Sequence, residues 1–332
     1  MIAEVTQPIA ESKLAIDLRT QMPYRGICYP LGFGVEILTN SQDVLDTAFD
    51  IWRGNQPLRP ASAIQVHIMV GDSGTSECPP APTFHLHRHL LSFVADEHNH
   101  AVCDLAGSFG YAHVSRAALR DPLYFRYHFL EGLVMALISG GHAPALHAAC
   151  VVRHGRGILL CGESGAGKST LAYACARAGF TYVSDDASYL LRNSEYPCVV
   201  GPSNKIRFRP SSKDLFPELQ GRALTPRLEG KPSIEVPTSE FPGLITASEA
   251  RIDFLVLLNR QPVSVPELEH VDTEIALERF HDLLYPVEEI RAQQIAALQV
   301  LANVEAFEFR YSNLDEAVRW LDGLAAGQRS RT

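Results

Sequence analysis

The sequence lacks several features that mark whole classes of protein. Its seven cysteines include no C-x-x-C pair, so we interpret them as reduced thiols that serve as small hydrophobic residues. No apolar run approaches the roughly 18 residues of a membrane helix, and the N-terminus has no charged segment followed by an apolar one. We therefore expect no signal peptide, no membrane partner and a cytoplasmic protein. The net charge of −9 argues against nucleic acid as a partner.

The composition is that of an ordinary folded protein. Hydrophobic residues make up 46% of the chain and charged residues 20%, which allows a buried core and does not indicate disorder. A length of 332 residues predicts roughly two domains of ~150 residues. We place the boundary after residue 118. An N-terminal α+β module, residues 1–118, then precedes a larger region, residues 119–332.

The N-terminal module alternates between strand and helix patterns. Residues 1–25 show no clear period and fit either an arm or an edge strand. A helix after Ser41 is indicated by apolar residues on one face, among them Val44, Ala48 and Trp52. The strands predicted around it are Gly32–Leu38, Ala63–Val70, 83–94, 98–105 and 109–115.

Three histidines, His85, His87 and His89, share one face of the predicted strand 83–94 because side chains alternate along a strand. Extended backbone spreads them over about 13 Å, too far for one metal ion without a bend. A solvated strand face is the favoured interpretation, and a metal site is the alternative.

The larger region begins with a predicted helix from Asp121-Pro122 to about Ser139. A strand from His147, a tight turn and a second strand, Gly157–Cys161, then predict a hairpin. Further predicted elements are helices at Lys168–Ala178, Thr273–Leu284, Val287–Ala302 and Leu314–Leu324, and strands at Phe180–Ser184, Arg251–Leu258 and Phe307–Tyr311.

The most informative stretch is residues 157–170. Its apolar strand pattern ends in a glycine-rich turn, and an alanine-rich helix pattern begins at Lys168. The turn has the spacing G-x-x-x-x-G-K-S between a strand and a helix, as a phosphate-binding loop requires. Glycines allow turns that a Cβ would block, and the start of the helix adds a partial positive charge. The sequence therefore predicts a nucleotide-binding site.

The residues predicted to contact the nucleotide are those of the loop and the first helical turn. Lys168 is expected to reach the β- and γ-phosphates, and the Ser169 hydroxyl is expected to hold Mg²⁺. The full predicted set is Gly162, Glu163, Ser164, Gly165, Ala166, Gly167, Lys168, Ser169 and Thr170.

A second site follows the helix, where the strand pattern Phe180–Ser184 ends in Asp185-Asp186. A strand that delivers acids beside a phosphate loop is typical of a metal ligand or a catalytic base. Two adjacent carboxylates can divide this work, one facing the metal and one the incoming hydroxyl. The alternative is an ordinary acidic turn after a strand.

Residues 147–186 resemble the catalytic core of the HPr kinase/phosphorylase family. These are protein-serine kinases of a fold group shared with phosphoenolpyruvate carboxykinase. The similar features are His147 before the hairpin, the loop Gly-Glu-Ser-Gly-Ala-Gly-Lys-Ser, and Val183-Ser184-Asp185-Asp186 after the helix. The tail Arg310–Ala317 resembles divergent HPr-kinase-like proteins found with bacterial peptide-modification clusters. The resemblance implies an α/β fold with a P-loop core and mixed sheet, beside the smaller module.

The same resemblance implies roles for individual residues. Asp185 would act as general base on a serine hydroxyl with His147 nearby, and Lys168 would act on the phosphates. Ser169 and Asp186 would lie at the metal. The implied cofactors are ATP and Mg²⁺, and the implied partner is a serine-containing protein, peptide or small molecule. Because the family is often hexameric, a homo-oligomer is a candidate state. For His147, the alternative is a hydrogen-bonded histidine at a strand start.

The chain departs from the family after the Asp pair. The family segment H-x-x-E-I-R-G-L-G, with its metal-linked Glu and phosphate-binding Arg, is not found in the sequence. Arg207 and Arg209, on one strand face, and Lys231, in a Gly-Lys-Pro turn, are candidate phosphate contacts. For each, the alternative is a solvent-exposed surface charge. The turn-rich section 216–242 is a candidate lid.

The sequence thus favours an ATP-dependent kinase that moves a γ-phosphoryl group to a serine-type hydroxyl. One alternative is a nucleotide-binding accessory or regulatory protein that transfers nothing. Another is a P-loop ATPase or small-molecule kinase. His147 and the second acid favour the kinase, because a simple binder needs a metal ligand but no further carboxylate. The missing family segment favours the alternatives.

Overall fold

A computed structural model describes residues 22–59, 64–192, 194–281 and 284–328. These residues form mixed α/β structure in two compact units, one up to Leu137 and one from Ile138. The expected boundary after residue 118 differs, since it falls inside the first unit. The physical reason is the segment after residue 118, whose buried Leu133 and Leu137 lie against Gly110 of the first sheet. Most of residues 1–25 lie outside the described part of the chain.

The first unit contains one mixed sheet. Its described strands are β1 Tyr24–Cys28, β2 Val35–Thr39, β3 Ile64–Gly71, β4 Thr83–His87, β5 Leu90–Asp96, β6 Asn99–Asp104 and β7 Phe109–Ser115. Their order across the sheet is β1-β2-β3-β7-β6-β5-β4. The β2–β3 and β3–β7 pairs are parallel, and the other pairs are antiparallel. β3 alternates buried and partly exposed residues, as expected for a strand with one core face.

The first unit has the predicted helix after Ser41 and, from Asp121 on, several helical segments in place of one predicted helix; Arg116–Arg120 is an additional helix. The helices are α1 Gln42–Ile51, α2 Arg116–Arg120, α3 Pro122–Tyr124, a run of wide π-type turns Phe125–Glu131, and α4 Gly132–Leu137, with a short turn Pro30–Gly32 before β2. The Asp121 carboxylate accepts from the backbone N–H groups of Leu123 and Tyr124, at 3.1 and 3.0 Å, and caps α3.

The predicted strand 83–94 is instead a hairpin of β4 and β5. The chain reverses at Arg88, whose φ is +52°, so His89 lies in the turn while His85 and His87 stay on β4. The three histidines therefore do not share one strand. Within the described residues, no group of three or more His, Cys, Asp or Glu side chains is arranged to hold a metal ion.

The second unit is built on a larger mixed sheet. Its described strands are β8 Ala145–Leu146, β9 Ala148–Arg153, β10 Arg156–Cys161, β11 Thr181–Ser184, β12 Ser188–Leu190, β13 Cys198–Val200, β14 Lys205–Phe208, β15 Ile234–Pro237, β16 Ile245–Thr246, β17 Glu249–Arg260, β18 Glu267–Val271 and β19 Glu305–Tyr311. The main path runs β16-β11-β9-β10-β17-β13-β12-β8, and β19 pairs with β17 and β18. β14 and β15 form a separate two-stranded antiparallel sheet.

Helices cover both faces of this sheet. They are α5 Lys168–Arg177, α6 Thr273–Glu278, α7 Glu288–Leu298 and α8 Leu314–Ala325, with short helical turns at Ile138–His142, Pro210–Asp214, Pro217–Leu219, Thr238–Glu240 and Gln299–Leu301. α5 and α8 share one apolar core, which includes Leu171 and Leu321. α6 and α7 lie in the core on the other face. β10 contributes side chains to both cores, so it is buried on both faces and reads as a continuous apolar run.

The β9–β10 hairpin confirms its sequence prediction. Its two-residue turn is His154-Gly155, with φ of +50° and +74°, the positive values that a tight hairpin turn requires. The other edge of β10 pairs in parallel with β17. Strand β10 therefore ends between an antiparallel and a parallel neighbour.

No helix in the described part of the chain is both long and apolar enough to cross a bilayer.

Candidate functional site

The loop Gly162–Gly167 joins the end of β10 to the start of α5. Gly162, Gly165 and Gly167 have φ of +155°, +99° and +96°, values that residues with a Cβ rarely adopt. A Cβ on Gly162 would lie 2.9 Å from that of Ala166. No side chain caps the first turn of α5, so its first N–H groups remain available to an anion.

Lys168 is the first residue of α5, and its side chain folds back over the loop. It is only 5% exposed. The ammonium donates to the carbonyls of Gly162 at 2.7 Å and Glu163 at 3.1 Å. Burial lowers the pKa of Lys168, while the nearby Asp186 charge acts in the opposite direction. The lysine is thus a buried cation held at the centre of the loop.

His147 links this lysine to the acid pair. Its Nε2 atom lies 3.0 Å from Lys168 Nζ. Its Nδ1 atom lies 3.2 Å from the carbonyl oxygen of Asp186 and 3.4 Å from its carboxylate Oδ1. Because an ammonium only donates, Nε2 accepts and Nδ1 carries the proton toward Asp186. Lys168, His147 and Asp186 therefore form one continuous chain of polar contacts.

Asp185 occupies different surroundings from its neighbour. Its side chain is buried, with 6% exposure for the residue, and Oδ2 accepts from the backbone N–H of Arg207 at 2.6 Å. Its carbonyl accepts the Ser169 hydroxyl at 3.0 Å, which places the first turn of α5 against the acid pair. Burial raises the pKa of Asp185 to about 6, although the hydrogen bond from Arg207 opposes that rise.

The two-stranded β14–β15 sheet adds basic groups beside the acids. The Arg207 Nη1 atom lies 3.8 Å from Asp186 Oδ2, and the Arg207 Nε atom lies 3.0 Å from Glu235 Oε1. Glu235, its direct cross-strand partner, also contacts Lys205 at 3.3 Å. Burial alone would raise the pKa of Glu235, but Lys205 and Arg207 hold it below its usual value. Glu235 thereby fixes the direction of Arg207.

Glu235 is a site residue that sequence reasoning did not identify. Its pairing with Arg207 becomes visible only once the two strands are placed in register. An alternation of charged and apolar residues in both segments was the available signal.

Of the other two candidate phosphate-binding cations, Lys231 contacts the loop and Arg209 does not, among the residues that the structure describes. Lys231 is exposed, and its ammonium lies 3.5 Å from the Ser164 hydroxyl, so the section 216–242 reaches the loop. Arg209 is exposed just beyond β14. Within the part of the chain that the structure describes, the Arg209 side chain makes no hydrogen bond or ion pair with Lys168, His147 or Asp186.

The oxygen atoms near the loop fit a magnesium ion. Mg²⁺ prefers oxygen ligands and is usually held by one or two protein groups together with substrate phosphates and water. The Ser169 hydroxyl and the Asp186 carboxylate are groups of this kind, and the Asp186 side chain is 46% exposed. A shared site with phosphate does not need the three-residue cluster that is absent from the described residues.

Comparison with known proteins returns little. No protein-family model matches the chain, and no curated protein matches it. Among solved structures, the chain is similar to the Hpr(Ser) kinase/phosphatase from Coxiella burnetii, with 14% identity and a TM-score of 0.34. That alignment covers 56% of this chain and 90% of the other. A TM-score this low supports no assignment of function.

Proposed function

We propose that this protein is an ATP-dependent phosphotransferase that moves the γ-phosphoryl group to a serine-type hydroxyl. The loop Gly162–Thr170 would cradle the phosphates with its backbone N–H groups, and Lys168 would turn from the loop carbonyls to the phosphate oxygens. The observation that carries the proposal is the polar chain Lys168–His147–Asp186, which joins the loop to the acid pair within 3.4 Å at each step.

The acid pair and Ser169 supply what phosphoryl transfer needs. Ser169 and Asp186 would hold Mg²⁺, which when bound neutralises charge on the phosphates. Arg207, oriented by Glu235, and Lys231 are proposed to bind phosphate oxygens. Arg209, exposed just beyond the end of β14, is proposed as a further phosphate contact.

The proposed transfer is a displacement at phosphorus. The acceptor oxygen forms a bond to the γ-phosphorus, the bond to the β,γ-bridging oxygen breaks, and ADP leaves. The hydroxyl proton passes to Asp185. A carboxyl whose pKa is raised to about 6 is well matched to that step, because it is ionised at neutral pH yet is a better proton acceptor than an ordinary aspartate.

The test is transfer of labelled phosphate from γ-labelled ATP to an array of serine- and threonine-containing peptides, with Mg²⁺. We expect labelled hydroxyls with the wild type and a loss of 10²–10⁴-fold in rate with Asp185→Asn, typical of a missing general base. ATP affinity of Asp185→Asn should stay within a few-fold, because the carboxyl does not contact the loop. The acid limb of the rate profile, near pH 6, should disappear in that variant.

Four outcomes would contradict the proposal in different ways. Full transfer by Asp185→Asn would remove the base assignment, and a loss confined to Asp186→Asn would exchange the two roles. ATP binding without transfer to any acceptor would favour an accessory binding protein. Release of free phosphate alone would favour an ATPase.

A further inference from the structure

A cavity of about 260 Å³ lies beside the loop on the side away from the acid pair. Gly167 and Thr170 of the loop and first helical turn form one wall. Arg260, at the end of β17, and the segment Tyr311–Asp315, between β19 and α8, form another. Leu215 completes the apolar part of the lining. The function proposed above does not use this cavity.

The order of the strands in the sheet indicates which end of a nucleotide this cavity can bind. Asp185 and Asp186 follow β11, which lies beyond β9 on one side of β10. The cavity follows β17 and β19, which lie on the other side of β10. A polyphosphate over the start of α5 therefore has the acids at one end and the cavity at the other. If the acids mark the γ-phosphate, the cavity lies at the α-phosphate end.

The lining suits a nucleoside. Arg260 is exposed and forms no ion pair among the described residues, and a planar guanidinium stacks well on a flat ring. Leu215 and Leu314 provide apolar surface, while Asn313 and Asp315 provide hydrogen-bonding groups. An apolar pocket with a few convergent polar groups is the usual form of a small-molecule site.

The volume of the cavity and its connection to the loop also suit a nucleoside. A cavity of roughly 150 Å³ is large enough for benzene, so about 260 Å³ can admit a two-ring base. Tyr311 connects the cavity to the loop, because a Cβ on Gly167 would lie 3.1 Å from its hydroxyl. Burial raises the pKa of Tyr311 to about 12, while the Arg260 charge acts in the opposite direction. The hydroxyl thus stays protonated and can donate.

We propose that this cavity, lined by Thr170, Arg260, Tyr311 and Asn313, binds the nucleoside part of the triphosphate. The inference rests on the proposed function, since it assumes that a polyphosphate occupies the loop. It assigns a role to the tail segment Arg310–Ala317, whose central residues line the cavity.

The test compares two ligands by calorimetry in the presence of Mg²⁺: ATP, which has a nucleoside, and inorganic tripolyphosphate, which does not. Leu215→Trp would fill the cavity with an indole, and Arg260→Ala would remove the stacking group. Leu215 is 47% exposed, so the larger side chain should be tolerated. Each variant should bind ATP about tenfold more weakly, with tripolyphosphate affinity changed less than twofold.

Arg319→Ala is the matched control, because this arginine is 70% exposed on α8 outside the cavity. It should leave both affinities unchanged. If Arg260→Ala and Leu215→Trp weakened the binding of ATP and of tripolyphosphate equally, the cavity would bind phosphate. If they weakened the binding of neither ligand, the cavity would bind neither part of the nucleotide. Both results overturn the inference. Wild-type protein that binds neither ligand would instead remove the proposed function.

Discussion

Asp185 and Asp186 are adjacent in the chain, yet their carboxyls experience different surroundings. Asp185 points to the β14 backbone and is buried, whereas the Asp186 side chain is 46% exposed beside His147. Both residues lie in a bend after β11, and the bend sets one carboxyl against the β14 backbone and leaves the other beside His147. The sequence therefore indicates an acid pair, and the fold separates a buried carboxyl from an accessible one.

The buried carboxyl should make stability depend on pH. The pKa of Asp185 is raised to about 6 in the folded protein, against about 4 in an unfolded chain. The folded state then binds more protons between these values, so its free energy of unfolding falls as pH rises through pH 4 to 6. Asp185→Asn should remove this loss and stabilise the protein at pH 8 by on the order of 1–3 kcal/mol.

Denaturation midpoints of wild type and Asp185→Asn, measured from pH 4 to pH 8, check this prediction. The two curves should approach one another near pH 4 and separate above pH 6. Asp186→Asn is the control and should change stability less, because its side chain is half exposed. A wild type that gains stability over this window relative to Asp185→Asn would contradict the buried-carboxyl argument.

The two lysines at the loop should differ in importance. Lys168 is buried and donates to two loop carbonyls, whereas Lys231 is exposed with one contact at 3.5 Å. Lys168→Ala should weaken ATP binding by at least about tenfold, and Lys231→Ala by only a few-fold, because an exposed cation is screened by solvent. Calorimetric titration measures both. Equal affinities of Lys168→Ala and wild type would remove the loop from the site.

At the scale of elements, the loop depends on a backbone shape that a single methyl group disturbs. Gly167 has φ of +96° and closes the loop at the start of α5. Placing an alanine there costs roughly 1–2 kcal/mol of backbone strain, and its Cβ would press on the Tyr311 hydroxyl at 3.1 Å. We expect Gly167→Ala to destabilise the protein by about that amount and to weaken tripolyphosphate binding.

Gly243→Ala is the matched control for this prediction. Gly243 also has a positive φ, +80°, and a Cβ there would have no neighbour within 4 Å. The two variants should lose similar stability in thermal denaturation, but only Gly167→Ala should lose affinity for tripolyphosphate. Equal affinities of the two variants would show that the shape of the loop does not matter for binding.

Element prediction succeeded where the signal was local. The β9–β10 hairpin, α5 with its glycine loop, and α8 all formed as expected. In contrast, strand 83–94 proved to be two strands, because Arg88 takes a left-handed conformation that its residue type does not announce. β18 was not predicted, since its partly polar sequence becomes a strand only through pairing with β19.

At the scale of the whole molecule, the chain divides into two compact units, and the candidate site lies in the second. In the second unit, Tyr173 of α5 packs edge-on against Phe208, with ring centroids 4.8 Å apart. Phe208 follows Arg207 directly on β14, so the strand that carries the basic group is anchored to the loop helix α5. In the first unit, Ile68 is fully buried in β3. The candidate site is therefore anchored to the core of the second unit.

A core substitution in either unit should therefore lower stability, but only one in the second unit should also weaken ATP binding. Phe208→Ala should cost about 3–5 kcal/mol and Ile68→Ala about 2–5 kcal/mol, because each leaves a cavity in a packed interior. Under conditions where both variants remain folded, only Phe208→Ala should weaken ATP binding, since it loosens β14 beside α5. Circular dichroism and calorimetry on the same samples check this. Equal loss of affinity in both variants would contradict this expectation.

The amino-acid sequence alone determined the glycine-rich loop, the acid pair and the strand–loop–helix order, because these depend on residue type and spacing over short distances. Only the tertiary structure decided that His147 lies between Lys168 and Asp186, that Glu235 orients Arg207, and that β17 and β19 bring a cavity to the other side of the loop. Each of these contacts joins residues about 20 or more positions apart. Such distances close only when the strands find their register, and register is set by the packing of both faces of the sheet.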